Sequence, residues 1–200
     1  MSEPPADIYG RNAAEFDART RLADLPDAFR ELLESFVEAL EGPAVLDAGC
    51  GPGRDAAFFA ERGLDPVGID RAVEMAEYAR ANRPGRYLRM DLRSLGFAAD
   101  SFDGVWCPAS VFFVPFEGMT AVLSEFERVL RDGVIRVGFK LGDGRLETEK
   151  WGTTTVEYRL SVERARGMLG SAGFDVESVA VDEAASGVRF ANFECSPRRT

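Results

Sequence analysis

The chain has 200 residues, of which 46% are apolar, enough for one globular domain with a full core and too apolar for wholesale disorder. Its net charge of −10 disfavours the phosphate backbone of nucleic acid as a partner. It has no histidine and three isolated cysteines, Cys50, Cys107 and Cys195, which excludes imidazole acid–base chemistry, the Ser-His-Asp triad, a disulfide framework and a zinc site.

The stretch from Met1 to Asp7 is acidic and Pro-rich, without the basic start and apolar middle of a secretory signal. No apolar run nears the roughly 18 residues of a membrane span. A cytoplasmic location is therefore expected. A short helix is expected over Ile8–Leu22. A longer one carries Phe29, Leu32, Leu33, Phe36, Val37 and Leu40 at spacings of three and four, until Gly42-Pro43 ends it.

Beyond Pro43 the period changes. Short strands are expected at Ala44–Asp47, Pro66–Asp70, Arg86–Met90, Phe102–Cys107 and Val134–Phe139. Helices fall between them at Arg54–Arg62, Ala72–Ala81 and Glu117–Leu130. Such alternation predicts a Rossmann-like, doubly wound α/β sheet, mostly parallel, under an N-terminal helical cover. Gly142-Asp143-Gly144 then marks a turn into an antiparallel excursion over Arg145–Arg159. Ser161 caps a helix through Leu169, and Phe174–Val181 with Val188–Glu194 predict a C-terminal antiparallel β-hairpin. One domain is expected, with 1–42 as cover, 43–140 as core and 141–200 on the substrate side.

Between the first strand and its helix lies Asp47-Ala48-Gly49-Cys50-Gly51-Pro52-Gly53. Glycines serve where backbone turns sharply or meets a ligand directly, and open parallel sheets bind ligands outside the carboxyl ends of their strands. A dinucleotide fingerprint, G-x-G-x-x-G, fits Gly49 and Gly51 but falls on Arg54 at its third glycine. The alternative, acid-x-G-x-G-x-G, is matched at Asp47, Gly49, Gly51 and Gly53. Asp70 ends the second strand, Asp91 follows the third in Met90-Asp91-Leu92, and Asp103 stands near the start of the fourth.

In this pattern the chain resembles class I S-adenosylmethionine-dependent methyltransferases, in particular a small-molecule, ubiquinone-biosynthesis-like branch, over roughly Tyr9 to Phe193. The resemblance implies S-adenosyl-L-methionine as cofactor and a small-molecule methyl acceptor. It implies a cofactor site of Asp47, Gly49, Gly51, Gly53, Asp70, Arg71, Asp91, Leu92, Cys107 and Tyr9. Asp70 would accept from both ribose hydroxyls, and Asp91 from the adenine amino group. Leu92 would offer a backbone N–H and an apolar wall, and Tyr9 and Phe16 would lie over the cofactor.

Acceptor contacts are expected after the fourth strand, in Cys107–Pro115, and in the excursion. Phe112, Phe113 and Phe116 are candidates for an apolar pocket, and Trp151 and Tyr158 for a lid. Relatives often carry His where Phe113 stands, and no general base is evident. Displacement from a sulfonium needs mainly proximity and orientation, so a chain without histidine remains competent. A catalytically inactive S-adenosylmethionine-binding regulatory or assembly protein is the alternative; a nicotinamide oxidoreductase fits worse because of Arg54. The run Arg80, Arg83, Arg86, Arg89 and Arg93 reads as a solvated helix end and strand edge, because no stacking aromatics accompany it.

Overall fold

The computed structural model describes residues 2–184 and 186–198. Met1, Ala185, Arg199 and Thr200 fall outside them, so the expected outer portions are seen only as far as those bounds. The chain runs through α1 (Pro5–Arg11), α2 (Ala13–Arg19), α3 (Asp27–Glu38), β1 (Ala44–Ala48), α4 (Arg54–Glu61), β2 (Asp65–Asp70), α5 (Val73–Asn82), β3 (Arg86–Arg89) and β4 (Phe102–Cys107). It continues with α6 (Phe116–Val129), β5 (Leu130–Lys140), β6 (Gly144–Lys150), β7 (Thr153–Arg159), α7 (Val162–Ser171), β8 (Phe174–Glu183) and β9 (Arg189–Pro197).

Seven strands form one sheet in the order β3-β2-β1-β4-β5-β9-β8, and β6 and β7 form a separate two-stranded ribbon. The pairs from β3 through β5 are parallel, and β9 runs antiparallel to both its neighbours. Alternation along the strands sends side chains to two apolar layers. Leu46, Val105 and Ile135 pack with α6 residues Met119, Val122, Leu123 and Phe126. Val45, Trp106 and Val134 pack with Leu33 and Phe36 of α3 and Phe58 and Phe59 of α4. Both faces are covered, as a doubly wound sheet requires. Among the described residues no helix is long and apolar enough to cross a membrane.

Two expectations need correction. The single helix over Ile8–Leu22 is broken into α1, α2 and a 3-10 turn at Leu22–Asp24. Asn12 breaks it: its backbone is non-helical and its side-chain amide donates to the Ile8 carbonyl at 2.7 Å. The strand expected at Val134–Phe139 begins at Leu130, directly after α6. The register between Phe102↔Leu130 and Gly104↔Val134 slips there, so residues 131–133 bulge rather than form a separate turn. Ser161 does cap α7, accepting from the Arg164 N–H at 3.2 Å.

The basic run is held by the protein itself. Arg83 pairs with Asp17 at 2.7 Å, Arg86 with Asp65 at 2.8 Å and Arg93 with Asp91 at 2.7 Å, while Arg80 and Arg89 donate to backbone carbonyls. With Tyr78 donating to Asp17 at 3.1 Å, the Arg83 pair fastens α2 to α5.

Candidate functional site

Strand order reverses at β1, which has β2 on one side and β4 on the other. A cavity of about 720 Å³ opens outside the carboxyl ends of these strands, within the range of roughly 300–1,000 Å³ typical of small-molecule sites. Cradle backbone forms its floor. The N–H groups of Gly49 and Cys50 donate to the Ile69 carbonyl at 2.8 and 2.9 Å, tying the loop to the end of β2. Asp70 completes the tie: one carboxylate oxygen accepts from the Gly51 N–H at 3.0 Å, the other from the Ala72 N–H at 2.8 Å.

Asp47 accepts from the Ala56 N–H at 3.0 Å, in the first turn of α4. Burial raises its carboxyl well above the ordinary 3.8, and the neighbouring Asp55 carboxylate adds to the rise. Asp55 is gripped by Arg54 at 2.6 and 2.9 Å and by the Trp106 indole N–H at 2.9 Å. Asp70 is also raised by burial, against the lowering effect of its N–H donors. Asp91 moves the other way, to about 2, because Arg93 donates to it in bidentate fashion at 3.0 and 2.7 Å.

A raised carboxyl means that ionisation costs more in the folded protein than in the unfolded chain. That cost grows as pH climbs from the unfolded value towards the folded one and persists above it. Asp47→Asn is therefore expected to raise the thermal unfolding midpoint by a few degrees at pH 7, since the amide oxygen still accepts from Ala56. Below about pH 4 the gain should vanish, because both states of the wild type are then protonated. Calorimetric melts at the two pH values check it, and an equal gain at both would refute the assignment.

The expected site residues do not all meet. Tyr9, Asp47, Gly49, Gly51, Asp70, Arg71, Asp91 and Leu92 line the cavity, as does Phe16. Gly53 does not. It starts α4 with φ +81°, and a Cβ there would lie 2.7 Å from the Tyr87 ring, so this glycine admits a buried tyrosine from β3. Cys107 does not either. Its side chain is fully buried with the layer facing α6, and burial pushes its thiol up. Asp103 serves the scaffold, accepting from the Ala44 N–H at 3.0 Å and from Arg131 at 2.6 Å.

At the acceptor end, Phe112 and Phe113 line the cavity, whereas Phe116 packs on Tyr158 with ring centroids 5.1 Å apart. Trp151 reaches the cover: its ring lies 5.3 Å from Tyr9 and 6.3 Å from Phe16, edge to face. It does so from the tip of the β6–β7 ribbon, where it takes φ +49°, an uncommon conformation for a bulky side chain. The same ribbon hydrogen-bonds the first residues, with the Glu3 N–H donating to the Thr154 carbonyl at 2.9 Å. Ser110 falls within the Cys107–Pro115 segment expected to contact the acceptor, whereas Lys140 was missed from sequence. The Ser110 hydroxyl donates to the Gly49 carbonyl at 3.3 Å and lines the cavity, as does Lys140 at the end of β5.

A methyltransferase-domain family profile matches residues 45–133. A malonyl-[acyl-carrier protein] O-methyltransferase of Salmonella typhimurium is 30% identical over 142 residues, covering 70% of this chain and 55% of that protein. Its counterpart from Pectobacterium atrosepticum is 31% identical over 142 residues, or 70% of this chain and 54% of that one. Over residues 45–133 the chain thus carries the pattern of a methyltransferase domain, and over 70% of its length it is similar to these O-methyltransferases. It spans about half the length of the curated relatives it matches.

Solved structures share the fold. A 1,6-didemethyltoxoflavin-N1-methyltransferase of Burkholderia thailandensis, solved with 1,6-didemethyltoxoflavin and S-adenosylhomocysteine, aligns with TM-score 0.75 at 20% identity. The alignment covers 100% of this chain and 92% of that one. An S-adenosylmethionine-dependent methyltransferase of Methanosarcina mazei aligns with TM-score 0.73 at 17% identity, covering 82% of this chain and 97% of that one.

Proposed function

We propose that this chain is a cytoplasmic enzyme that binds S-adenosyl-L-methionine in the cavity and passes its methyl group to a small-molecule acceptor. One observation carries the reading. The cradle backbone, the strand-end acids Asp70 and Asp91 and the covering ring of Tyr9 converge on one cavity at the reversal of strand order. The lining fits such a cofactor chemically. Each oxygen of Asp70 already accepts one backbone N–H, and each keeps a further lone pair for a ribose hydroxyl. Asp91, held ionised by Arg93, would accept from the adenine amino group, with Leu92 as the apolar wall; both line the cavity. Asp47 lends negative charge to a floor that receives a cation, with Gly49 and Gly51 presenting backbone and Arg71 at the exposed rim. Gly53 and Cys107 act from behind this surface, through the Tyr87 packing and the end of β4.

When bound, the cofactor supplies an activated methyl group on a sulfonium. The protein's share is to fix the geometry and exclude water, and no imidazole is needed for either. Calorimetric titration is expected to show S-adenosylmethionine and S-adenosylhomocysteine each binding at one site per chain, with NAD inert. Binding of NAD alone, or of none of the three, would reject the reading.

A further inference from the structure

Lys140 is the last residue of β5 and one of only two lysines among 24 basic residues. Its ammonium lies 4.4 Å from the ring centre of Phe112, 5.8 Å from that of Phe113 and 5.7 Å from that of Phe190. All three rings line the cavity with it. Lysine is rarely this buried without a partner, and here Glu157 accepts from it at 2.5 Å. That carboxylate is itself shared: its other oxygen faces Arg159 at 3.5 Å. The Arg159 Nε is buried without a hydrogen-bond partner, so the arginine is not fully satisfied by this contact.

The charge count decides the matter. One carboxylate stands between two cations, so the cluster carries a net +1 where solvent is largely excluded. The other cations on the cavity wall are matched differently. Arg54 has Asp55 at 2.6 Å, Arg93 has Asp91 at 2.7 Å, and Arg71 stands 62% exposed within 3.9 Å of Asp91. Asp182 and Glu183, which also reach this end of the cavity, are exposed. Glu157 engages one of the three donors on the ammonium, leaving two for a ligand.

Building on the methyltransferase reading, we infer that Lys140 is the specificity-determining anchor for an acceptor that presents an anionic oxygen on an apolar body. The anion neutralises the cluster while its body packs on Phe112, Phe113 and Phe190. A carboxylate, a phenolate and an enolate share this chemistry. A carboxylate arrives deprotonated, and a phenol or enol loses its proton to solvent on pairing with Lys140, so no base is required, in keeping with a cavity wall free of imidazole. A lone pair on its oxygen attacks the methyl carbon; the C–O bond forms as the C–S bond breaks, and the bonding pair stays on sulfur. The sulfonium becomes a neutral thioether and the anion a neutral ester or ether. That product no longer pairs with Lys140, which favours its release.

The test uses the full chain saturated with S-adenosylhomocysteine and three acids, benzoate, 2-naphthoate and octanoate, each beside its primary amide. Calorimetry is expected to show at least one acid binding tenfold or more tighter than its amide. Lys140→Met should abolish that preference and Lys140→Arg should keep it, with S-adenosylhomocysteine affinity within about twofold of wild type in both. Should Lys140→Met fold poorly because Glu157 is left buried, the Lys140→Met/Glu157→Gln pair removes both charges and should show the same loss. Equal binding of acids and amides, binding of none of the acids, or a preference that survives loss of Lys140 would overturn the inference. Failure of the wild type to bind S-adenosylhomocysteine would instead strike the methyltransferase reading beneath it.

Discussion

Asp70→Ala is expected to weaken S-adenosylhomocysteine binding on the order of 100-fold, about 3 kcal/mol, by removing charge-assisted contacts to the ribose and slackening the cradle. The slackening follows from the two N–H groups, of Gly51 and Ala72, that lose their acceptor. Folding stability should move little by comparison. The lost hydrogen bonds destabilise, but the raised carboxyl shows that burying this charge was itself costly, so the two effects oppose each other. Asp70→Asn retains one oxygen and should fall between, with roughly a tenfold loss. Titration calorimetry beside thermal melts separates affinity from stability. Wild-type affinity in Asp70→Ala would remove Asp70 from the site.

Gly138→Ala should be strongly damaging at the acceptor end of the cavity. Gly138 lies in β5, two residues before Lys140, and an added Cβ would overlap the Pro108 carbonyl oxygen, 2.8 Å from its carbon and 2.9 Å from Oδ1 of Asn192. The obstruction is backbone and cannot swing aside. The segment after β4 must retreat instead, and with it go Ser110 under Gly49 and the Phe112 and Phe113 rings at the acceptor end. A cost of about 2–3 kcal/mol is expected from such overpacking, with cofactor affinity at least tenfold lower. Gly167→Ala in α7 is the matched control. Nothing lies within 4 Å of its Cβ position, and a helical alanine should be neutral or up to about 1 kcal/mol stabilising. Urea titration of both variants checks this; equal midpoints would show that the loop is not held by Gly138.

What could be seen in the sequence was whatever depends on neighbours in the chain. The strands announce themselves by short apolar runs, and Asp70 and Asp91 stand just where two of those runs stop. The cradle is visible because its glycines, Gly49, Gly51 and Gly53, alternate within one loop. Gly53 shows the limit of that logic: it carries the same motif, yet the group it makes room for, Tyr87, comes from another strand. Cys107 fails on parity. Trp106 turns to one face of β4 to reach Asp55, which sends Cys107 to the opposite core. Asp103 matched the family pattern by position, while its partners, Ala44 and Arg131, are distant in sequence and structural in effect.

Lys140 was least legible, because its meaning depends on Glu157 and Arg159 from the ribbon and Phe112 from a loop. Two faint signals were present: one of two lysines in a chain that otherwise uses arginine, and Gly138 two residues earlier in the same strand. The latter commonly marks a close approach of another backbone.

The aromatic contact between cover and ribbon has a kinetic consequence. Tyr9 meets Phe113 and Trp151, and Phe16 meets Trp151, with centroids 5.5, 5.3 and 6.3 Å apart. Three such ring pairs contribute about 0.5–1.5 kcal/mol each, on top of the Asp17–Arg83 and Glu3–Thr154 ties, so parting the cover is expected to be rare. Both entry and exit of a ligand beneath the cover would be slowed by the rarity of opening, while the equilibrium constant for binding need not change. Under the proposed function, residence time would thereby depend partly on a tryptophan at the tip of a ribbon outside the main sheet. If the chain is the proposed methyltransferase, its output should follow how often the cover opens, as well as how fast the methyl group moves.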